Sequence, residues 1–523
     1  MEILSTWKDY IFYAAFAIII IISVVLRIYR IDYYPAEIDQ DELSNLYDGY
    51  SIIQTGADRW GMKYPAILRA FGDYDYRPPL YAWLCALSIK IFGYSTFAGR
   101  FPSVVLGCLS LLIIYFTAKR IGGPLFALLS LLLAGLSPWH MLFSRIGLES
   151  SILHSFFTIS AFYVWLTAKA KQYSTKYLVL LGFVIGFGAN AYQAGKLIFC
   201  ILALIIMVDV YIHAIGTFKK ISLFALSCLL GAAPQIFVAV TMPEHFFARA
   251  NETMFSFSFS FHYFNTFLRN FCWNLSPDFL FFSFGEHNYL TVGRLLTFEF
   301  FFFYLGLFFF SKLFKKSPVF HPVYLYIFIT LSIIPGALTK INPHALRISG
   351  LNSLLPMVSA AGIIFVYRQI PKPPVRYLFL LTTIGLLILN SIFFIKDFVQ
   401  SEHLRTLGFQ NFLVQMATRV NQYTPYYSRI YIEDFGNQPY IYIANYCHIT
   451  PAQFQGATKQ IRNIGWDHFI QLDKYFFLKR NQIEEIAQQS GDKNLYVLLA
   501  RNNSLKLIDS LNTSKTPYYF YEK

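Results

Sequence analysis

The chain has 523 residues, of which 56% are hydrophobic and only 14% charged, and its mean hydropathy is +0.45. That balance excludes a soluble domain built around one core and points to a polytopic, mainly α membrane protein. The formal net charge of +14 would on its own suit nucleic acid, but the cations gather in short loops between apolar spans, where membrane topology accounts for them; no nucleic-acid partner is expected. The six cysteines show no C-x-x-C spacing, so neither a disulfide framework nor a metal cluster is indicated.

In chain order, the first apolar span covers residues 10–26, preceded by Lys8 and followed by Arg27 and Arg30, with no small-residue cleavage site. It is expected to be a retained signal-anchor. The stretch 35–61, PAEIDQDELSNLYDGYSIIQTGADRWG, follows at once and holds the densest group of acids near any span. Asp39 with Glu42 three positions on has the form of a capping box. Leu43, Leu46, Tyr47, Tyr50 and Ile53 fall on one helical face, Ser44, Asp48 and Ser51 on another, and Thr55-Gly56 stops the helix. Such an amphipathic helix is expected to lie along the membrane interface. Asp41 then occupies the first turn, near unpaired N–H groups that favour its charged form. Two readings stand at this point: the acids cap and solvate a helix, or Asp41 is a catalytic base.

The apolar segment 80–92 is short of the ~20 residues that a crossing needs and is expected to lie flat. Further spans are expected at 96–118, 123–139, 151–168, a stretch ending near 192, 197–213, 221–240, 295–310, 323–338, 348–366 and 377–395, about eleven in all. This layout puts five cation clusters on one side: Lys119-Arg120; Lys169, Lys171 and Lys176; Lys219-Lys220; Lys312, Lys315 and Lys316; and Arg368, Lys372 and Arg376. By the positive-inside rule that side is cytoplasmic. The Asp41 loop, the 145–149 loop, the 193–196 and 340–347 turns, the long loop 243–293 and the C-terminal part then lie outside. The expected domains are 1–397, a transmembrane domain whose first outer loop (31–95) carries interfacial helices, and 398–523, a small α/β outer domain. In the latter, 402–423 is expected to be helical, and RIYIE (429–433), YIYIA (440–444) and LYVLLA (495–500) are expected to be strands.

Charged residues near span ends converge on the outer face: Asp41, Glu42, Asp73, Asp75, Arg77, Arg145, Glu149, Lys196, His344 and Arg347. Charges near a bilayer are costly, so a cluster points to a site. A carboxylate can take the proton of an incoming hydroxyl, and cations can stabilise the charge growing on a departing lipid phosphate. Taken singly, Arg145, Lys196 and Arg347 also fit interfacial anchors that snorkel. His140, His287 and His344 lack metal-ligand spacing, and neither a Walker A motif nor a nucleophile elbow is present.

The ordered set Asp41-Glu42, Asn45–Tyr50, Thr55-Gly56, Asp58, Gly61, Arg77-Pro78-Pro79-Leu80-Tyr81, Ala98–Ser103, Ser137-Pro138-Trp139-His140, Ser144-Arg145 and Glu149 resembles the GT-C superfamily of membrane glycosyltransferases. The likeness is to the bacterial branch related to protein O-mannosyltransferases and lipid A aminoarabinose transferases, of the glycosyltransferase family 39 type. It covers roughly 31–196, with a second stretch at 343–356. The resemblance implies a polyprenyl-phosphate-linked sugar donor, inverting transfer, and an acid of the first outer loop as base, matched by Asp41. The family's second acid is matched by Glu149, where many relatives carry Asp, and Glu149 joins Asp41 as an expected catalytic residue. Glu42, Arg77, Arg145, Lys196, His344 and Arg347 are the expected substrate-binding residues. No divalent metal or other cofactor is expected, because the Asp-x-Asp of the oligosaccharyltransferase branch is missing from the second loop. The expected partners are the polyprenyl-phosphate sugar, membrane lipids and an acceptor glycan, lipid or protein, with the site on the outer face of the inner membrane. The alternative is a lipid-linked sugar flippase without transferase activity. Against it, the span cores are nearly free of acids, and Asp209 lies at a span end. A structural assembly subunit is the third class.

Overall fold

The computed structural model describes residues 2–35, 38–256, 258, 260–282, 293–315, 317, 320–400, 411–434, 436, 438–457, 461–464, 466–489, 493–513 and 516–523. They form two compact units, Met1–Ile31 with Phe101–Ser401 and Asp32–Arg100 with Glu402–Lys523. This division differs from the expected one. The loop assigned to the membrane domain clusters instead with the C-terminal part.

Among the described residues, eight helical runs are long and apolar enough to cross a membrane: Tyr10–Ile28, Thr96–Gly122, Glu149–Ala170, Gln193–His213, Phe218–Thr241, Thr297–Phe314, Ser349–Gln369 and Pro373–Gln400. The shorter apolar helices Pro124–Leu136, Thr175–Gly188 and Val323–Ala337 complete a set that coincides with the segments read from the sequence. The chain is a multi-pass membrane protein.

Two of these runs begin irregularly, with a π-turn at Glu149–Leu153, where Ser151 has non-helical φ −86° and ψ −111°, and a 3-10 turn at Ser349–Ser353. Polar side chains join the two turns, the Ser155 hydroxyl meeting Asn352 and Ser353. Irregular backbone at the start of an apolar run is tolerated where protein covers it. Near the opposite end, Asp209 accepts from Trp165 Nε1 at 2.8 Å, Lys169 Nζ at 3.0 Å and Tyr324 Oη at 3.3 Å, tying three helices at one of the expected cytoplasmic clusters.

In the second unit, Asp39 caps helix Gln40–Thr55 by accepting the Asp41 N–H at 2.8 Å, and Gly56 ends it with φ 70°. The cap bond thus goes to the second residue of the helix, not to the third as in a capping box. The Glu42 carboxylate pairs with Arg100. The expected solvated face is also corrected, since Ser44, Asp48 and Ser51 are as buried as Leu43, Leu46 and Tyr47. The physical reason is that the helix is covered on several sides. Helix Leu80–Phe92 crosses it so closely that a Cβ on Gly49 would lie 2.8 Å from Ala86 N and 2.9 Å from Ala82 O. Asp48 pairs at 2.5 Å with the buried Arg59. Residues of the C-terminal part close the remaining side: Tyr47 donates to the Ile449 carbonyl at 2.8 Å, and Gln455 reaches Ser51 and Thr55. Helix 80–92 leaves Trp83, Leu87 and Ile91 exposed, an apolar face that suits a lipid boundary.

The C-terminal part holds a six-stranded sheet in the order Gln471–Leu472, Tyr475–Leu478, Ile430–Glu433, Leu495–Leu498, Pro517–Glu522, Lys506–Asn512. Strand 430–433 runs parallel to both neighbours, and the other pairs are antiparallel. Alternation sends Tyr431 and Tyr496 to one face, against helix Arg480–Gln489, and Ile430 and Ile432 to the other. That second face shares one core with Ile38, Leu43, Tyr47, Ala70 and Phe71 of the segment 32–100.

Strands 430–433 and 495–498 lie where the sequence placed them. YIYIA does not: Pro439–Tyr446 is a helix, started by proline at its first position. Of the helix expected at 402–423, Asn411–Tyr423 is observed and 402–410 lies outside the described residues.

Candidate active site

In the second unit the first turn of helix 40–55 gathers three acids, and each meets a different environment. Asp41 is 41% exposed at its side chain, while the adjacent Glu42 and the following Ser44 and Asn45 are buried. Asp39 is turned inward as the cap. Burial pushes its carboxyl well above the usual range, and the charges of Asp41 and Glu42 add to the push, against the pull of the Asp41 N–H and Arg77. Glu42 is held in two-point contact by Arg100, Nε to Oε2 at 2.8 Å and Nη2 to Oε1 at 3.2 Å. Arg100 also donates to the Pro35 carbonyl at 2.9 Å, so one guanidinium ties the helix to the chain that enters it.

Arg77 comes from the short ribbon Leu68–Arg69 with Tyr76–Arg77. Its Nη1 lies 3.5 Å from Asp41 Oδ1, and its Nη2 donates to the Ser44 hydroxyl, which itself donates to the Asp41 carbonyl at 2.9 Å. Asp41 is therefore a carboxylate at a helix N-terminus, beside a buried cation, with one side open. The open side lets it receive a proton.

The first unit carries the remaining expected residues. Arg145 is buried and its guanidinium clamps the end of the first helix, donating to the carbonyls of Leu26 at 2.6 Å and Tyr29 at 2.8 Å. Neither snorkelling nor phosphate contact is needed to explain it. Glu149 opens the π-turn and is buried. Lys196 stands 4.0 Å from the ring centroid of Phe246 and donates to that residue's carbonyl at 3.4 Å. Arg347 donates to the Ile341 carbonyl at 2.8 Å, and its backbone N–H donates to His344. Burial lowers the Arg347 guanidinium from its usual value, with Arg249 and Glu252 within electrostatic range.

Helix Pro243–Thr253 thus collects these cations. It supplies Phe246 to Lys196 and Arg249 to the neighbourhood of Arg347, while Lys340 Nζ donates to its Glu252 carbonyl at 2.9 Å. His140 accepts from Arg27 at 3.0 Å, and His287 lies outside the described residues. Among the described residues, no group of three or more His, Cys, Asp or Glu is placed to hold a metal ion.

Three residues of these clusters were given no role from the sequence. Arg100 stood in the Ala98–Ser103 motif, Ser44 was read as solvated, and Arg249 lay within the long loop. An arginine inside an otherwise apolar helix start is the one signal that marked Arg100 in advance.

The family model of the dolichyl-phosphate-mannose-protein mannosyltransferases matches residues 76–240. No curated protein sequence matches the chain. Among solved structures, ArnT from Cupriavidus metallidurans bound to undecaprenyl phosphate superposes with a TM-score of 0.59 at 12% identity, covering 98% of each chain. The oligosaccharyltransferase of Archaeoglobus fulgidus in its apo form gives 0.56 at 14% identity, covering 94% of this chain and 70% of its own. At such identities the likeness is one of fold alone, a polytopic fold shared with these two solved structures.

Proposed function

We propose that this protein is a membrane glycosyltransferase that moves one sugar from a polyprenyl phosphate to a hydroxyl acceptor at the outer face, with inversion and with Asp41 as general base. The acceptor oxygen attacks the anomeric carbon, its proton passes to Asp41, and the bond from that carbon to the phosphate oxygen breaks. The polyprenyl phosphate leaves with the electron pair. The carrying observation is the half-open Asp41 carboxylate, held beside Arg77 and followed in its helix by the buried Glu42, Leu43 and Ser44.

Lys196, Arg347 and Arg249 are assigned to the donor phosphate, because cations collected on one outer-loop helix suit a lipid headgroup anion. Glu149 and His344 are assigned to substrate positioning. The reading needs no divalent metal, so transfer by chelator-treated enzyme should equal that of the untreated enzyme. The transporter alternative calls for helix breaks at mid-span. The irregular turns at 149–153 and 349–353 sit instead at the starts of their runs, which supports the enzyme.

The test is Asp41→Asn in purified full-length protein supplied with a synthetic polyprenyl-phosphate sugar and an extract of envelope acceptors. A general base contributes about 10²–10⁴ in rate, so transfer should fall by at least that lower bound with the folded fraction unchanged. Turnover near wild type would refute the role.

A further inference from the structure

Helix Pro439–Tyr446 lies in the second unit, far along the chain from the Asp41 turn, and every side chain from Tyr440 to Ala444 is buried. Its Tyr442 hydroxyl donates to the carbonyl of Ile38 at 3.3 Å. Ile38 immediately precedes the cap residue Asp39, whose extended backbone (φ −71°, ψ 153°) sets the angle at which the chain enters the helix. The Ile38 side chain shares its core with Leu43, the fourth residue of the helix, and with Tyr442 itself. Apolar residues before the cap and at the fourth position form a hydrophobic staple, a device that fixes helix entry. Tyr442 adds a polar tie at the same place.

The groups around this ring are those of the candidate site. Asp39, Asp41 and Glu42 lie within electrostatic range of the Tyr442 hydroxyl, as do Arg100 and Glu42 of the neighbouring Tyr446. One turn further along, Asn445 accepts a hydrogen bond from Tyr94. The helix therefore meets the acidic turn through Tyr442 and the end of helix 80–92 through Asn445.

We propose that Tyr442 is a positioning residue for the Asp41 turn, so that the C-terminal part supplies a component of the catalytic unit rather than a detachable module. This rests on Asp41 acting as the base. The Tyr442 hydroxyl touches no reacting atom; it holds the peptide from which the cap and the carboxylate are hung. Small errors in the placement of a base are costly in rate, whereas the donor's lipid and phosphate contacts do not depend on this turn.

The test compares Tyr442→Phe with Tyr440→Phe in the full-length enzyme. Both lose one hydroxyl from the same buried helix, but the Tyr440 hydroxyl has no hydrogen-bond partner among the described residues. For Tyr442→Phe, kcat should fall about three- to tenfold with KM for the polyprenyl-phosphate sugar unchanged, the scale of one lost hydrogen bond. Tyr440→Phe should stay within about twofold of wild type. Hydrogen exchange gives a second reading that needs no substrate: amides 40–43 should exchange faster in Tyr442→Phe and not in Tyr440→Phe. Equal kcat in the two variants, or unchanged exchange at 40–43, would overturn the proposal. If Asp41→Asn itself keeps turnover, the base reading fails instead, and the exchange experiment still decides whether Tyr442 holds the turn.

Discussion

Tyr47 donates its hydroxyl to the carbonyl of Ile449 at 2.8 Å, across 402 residues of sequence. Its ring packs on Phe454 with centroids 5.2 Å apart. The helix that carries Asp41 is thus half of a core whose other half arrives at the end of the chain. Deleting 402–523 should therefore abolish transfer to every acceptor rather than alter acceptor choice. Proteolysis should then cut within 42–52, whose side chains are mostly packed away in the intact protein. Tyr47→Phe removes only the hydrogen bond and should cost about 1 kcal/mol; Tyr47→Ala also opens the core and should cost about 3–5 kcal/mol. Deleted protein that keeps transfer, with or without a changed acceptor preference, would instead show that the C-terminal part is separable from the catalytic unit.

The pair of Glu42 with Arg100 predicts a different signature. Both side chains are 1% exposed. Removing one partner strands the other as a buried charge, which costs about 3–5 kcal/mol. Arg100→Met and Glu42→Leu should each destabilise strongly, and the double variant should recover most of the loss. Thermal melts of the four proteins give the coupling energy. Additive losses would mean that the two residues act through other neighbours.

Much of this was legible in the sequence because it follows from local rules. Apolar length and the side on which lysines and arginines gather mark the spans, and Asp39 and Gly56 mark the ends of helix 40–55. The misreadings share one cause, which is burial by distant chain. YIYIA alternates like a strand, yet Tyr440, Ile441, Tyr442, Ile443 and Ala444 are all covered, and a segment buried on every side carries no periodicity to read. Ser44, Asp48 and Ser51 looked like a wet face. Their partners Arg77, Arg59 and Gln455 come from other parts of the fold, and no local pattern announces them. Arg145 stood out as a cation at a span end; its hydrogen bonds to the Leu26 and Tyr29 carbonyls, 119 and 116 residues away and announced by no local pattern, add an assignment to the end of the first helix.

That assignment separates the cations experimentally. Lys196→Ala, Arg249→Ala and Arg347→Ala should each raise KM for the polyprenyl-phosphate sugar about tenfold, the scale of one charge-assisted contact, with the folded fraction preserved. Arg145→Ala should do the reverse, lowering thermal stability by about 2–3 kcal/mol through unsatisfied carbonyls while the surviving enzyme keeps its donor KM. Steady-state kinetics at varied donor, paired with melting curves, distinguishes the two classes. A raised KM in Arg145→Ala alone would return that residue to the donor site.

Asp58 predicts how stability depends on pH. Its Oδ1 accepts from the Trp60 N–H at 3.0 Å and the Met62 N–H at 2.9 Å, while Oδ2 is buried with no partner among the described residues. Burial, and then the charge of Asp48, push its carboxyl up to about 7, against the Met62 N–H, Arg59 and the Trp60 N–H. In the unfolded chain the group titrates at about 3.9. Between these values the folded state binds the proton more tightly, so the contribution is fully present at the acid end and is lost as pH rises towards 7. Asp58→Asn keeps the two backbone contacts and removes the titration. Relative to this variant, wild type should lose about 4 kcal/mol between pH 4 and pH 8, an order-of-magnitude figure from the shift. Melting temperatures of both proteins across that range measure it. Parallel pH profiles would show that the Asp58 carboxyl binds its proton equally well in the folded and unfolded chain, contrary to the shift expected from its burial.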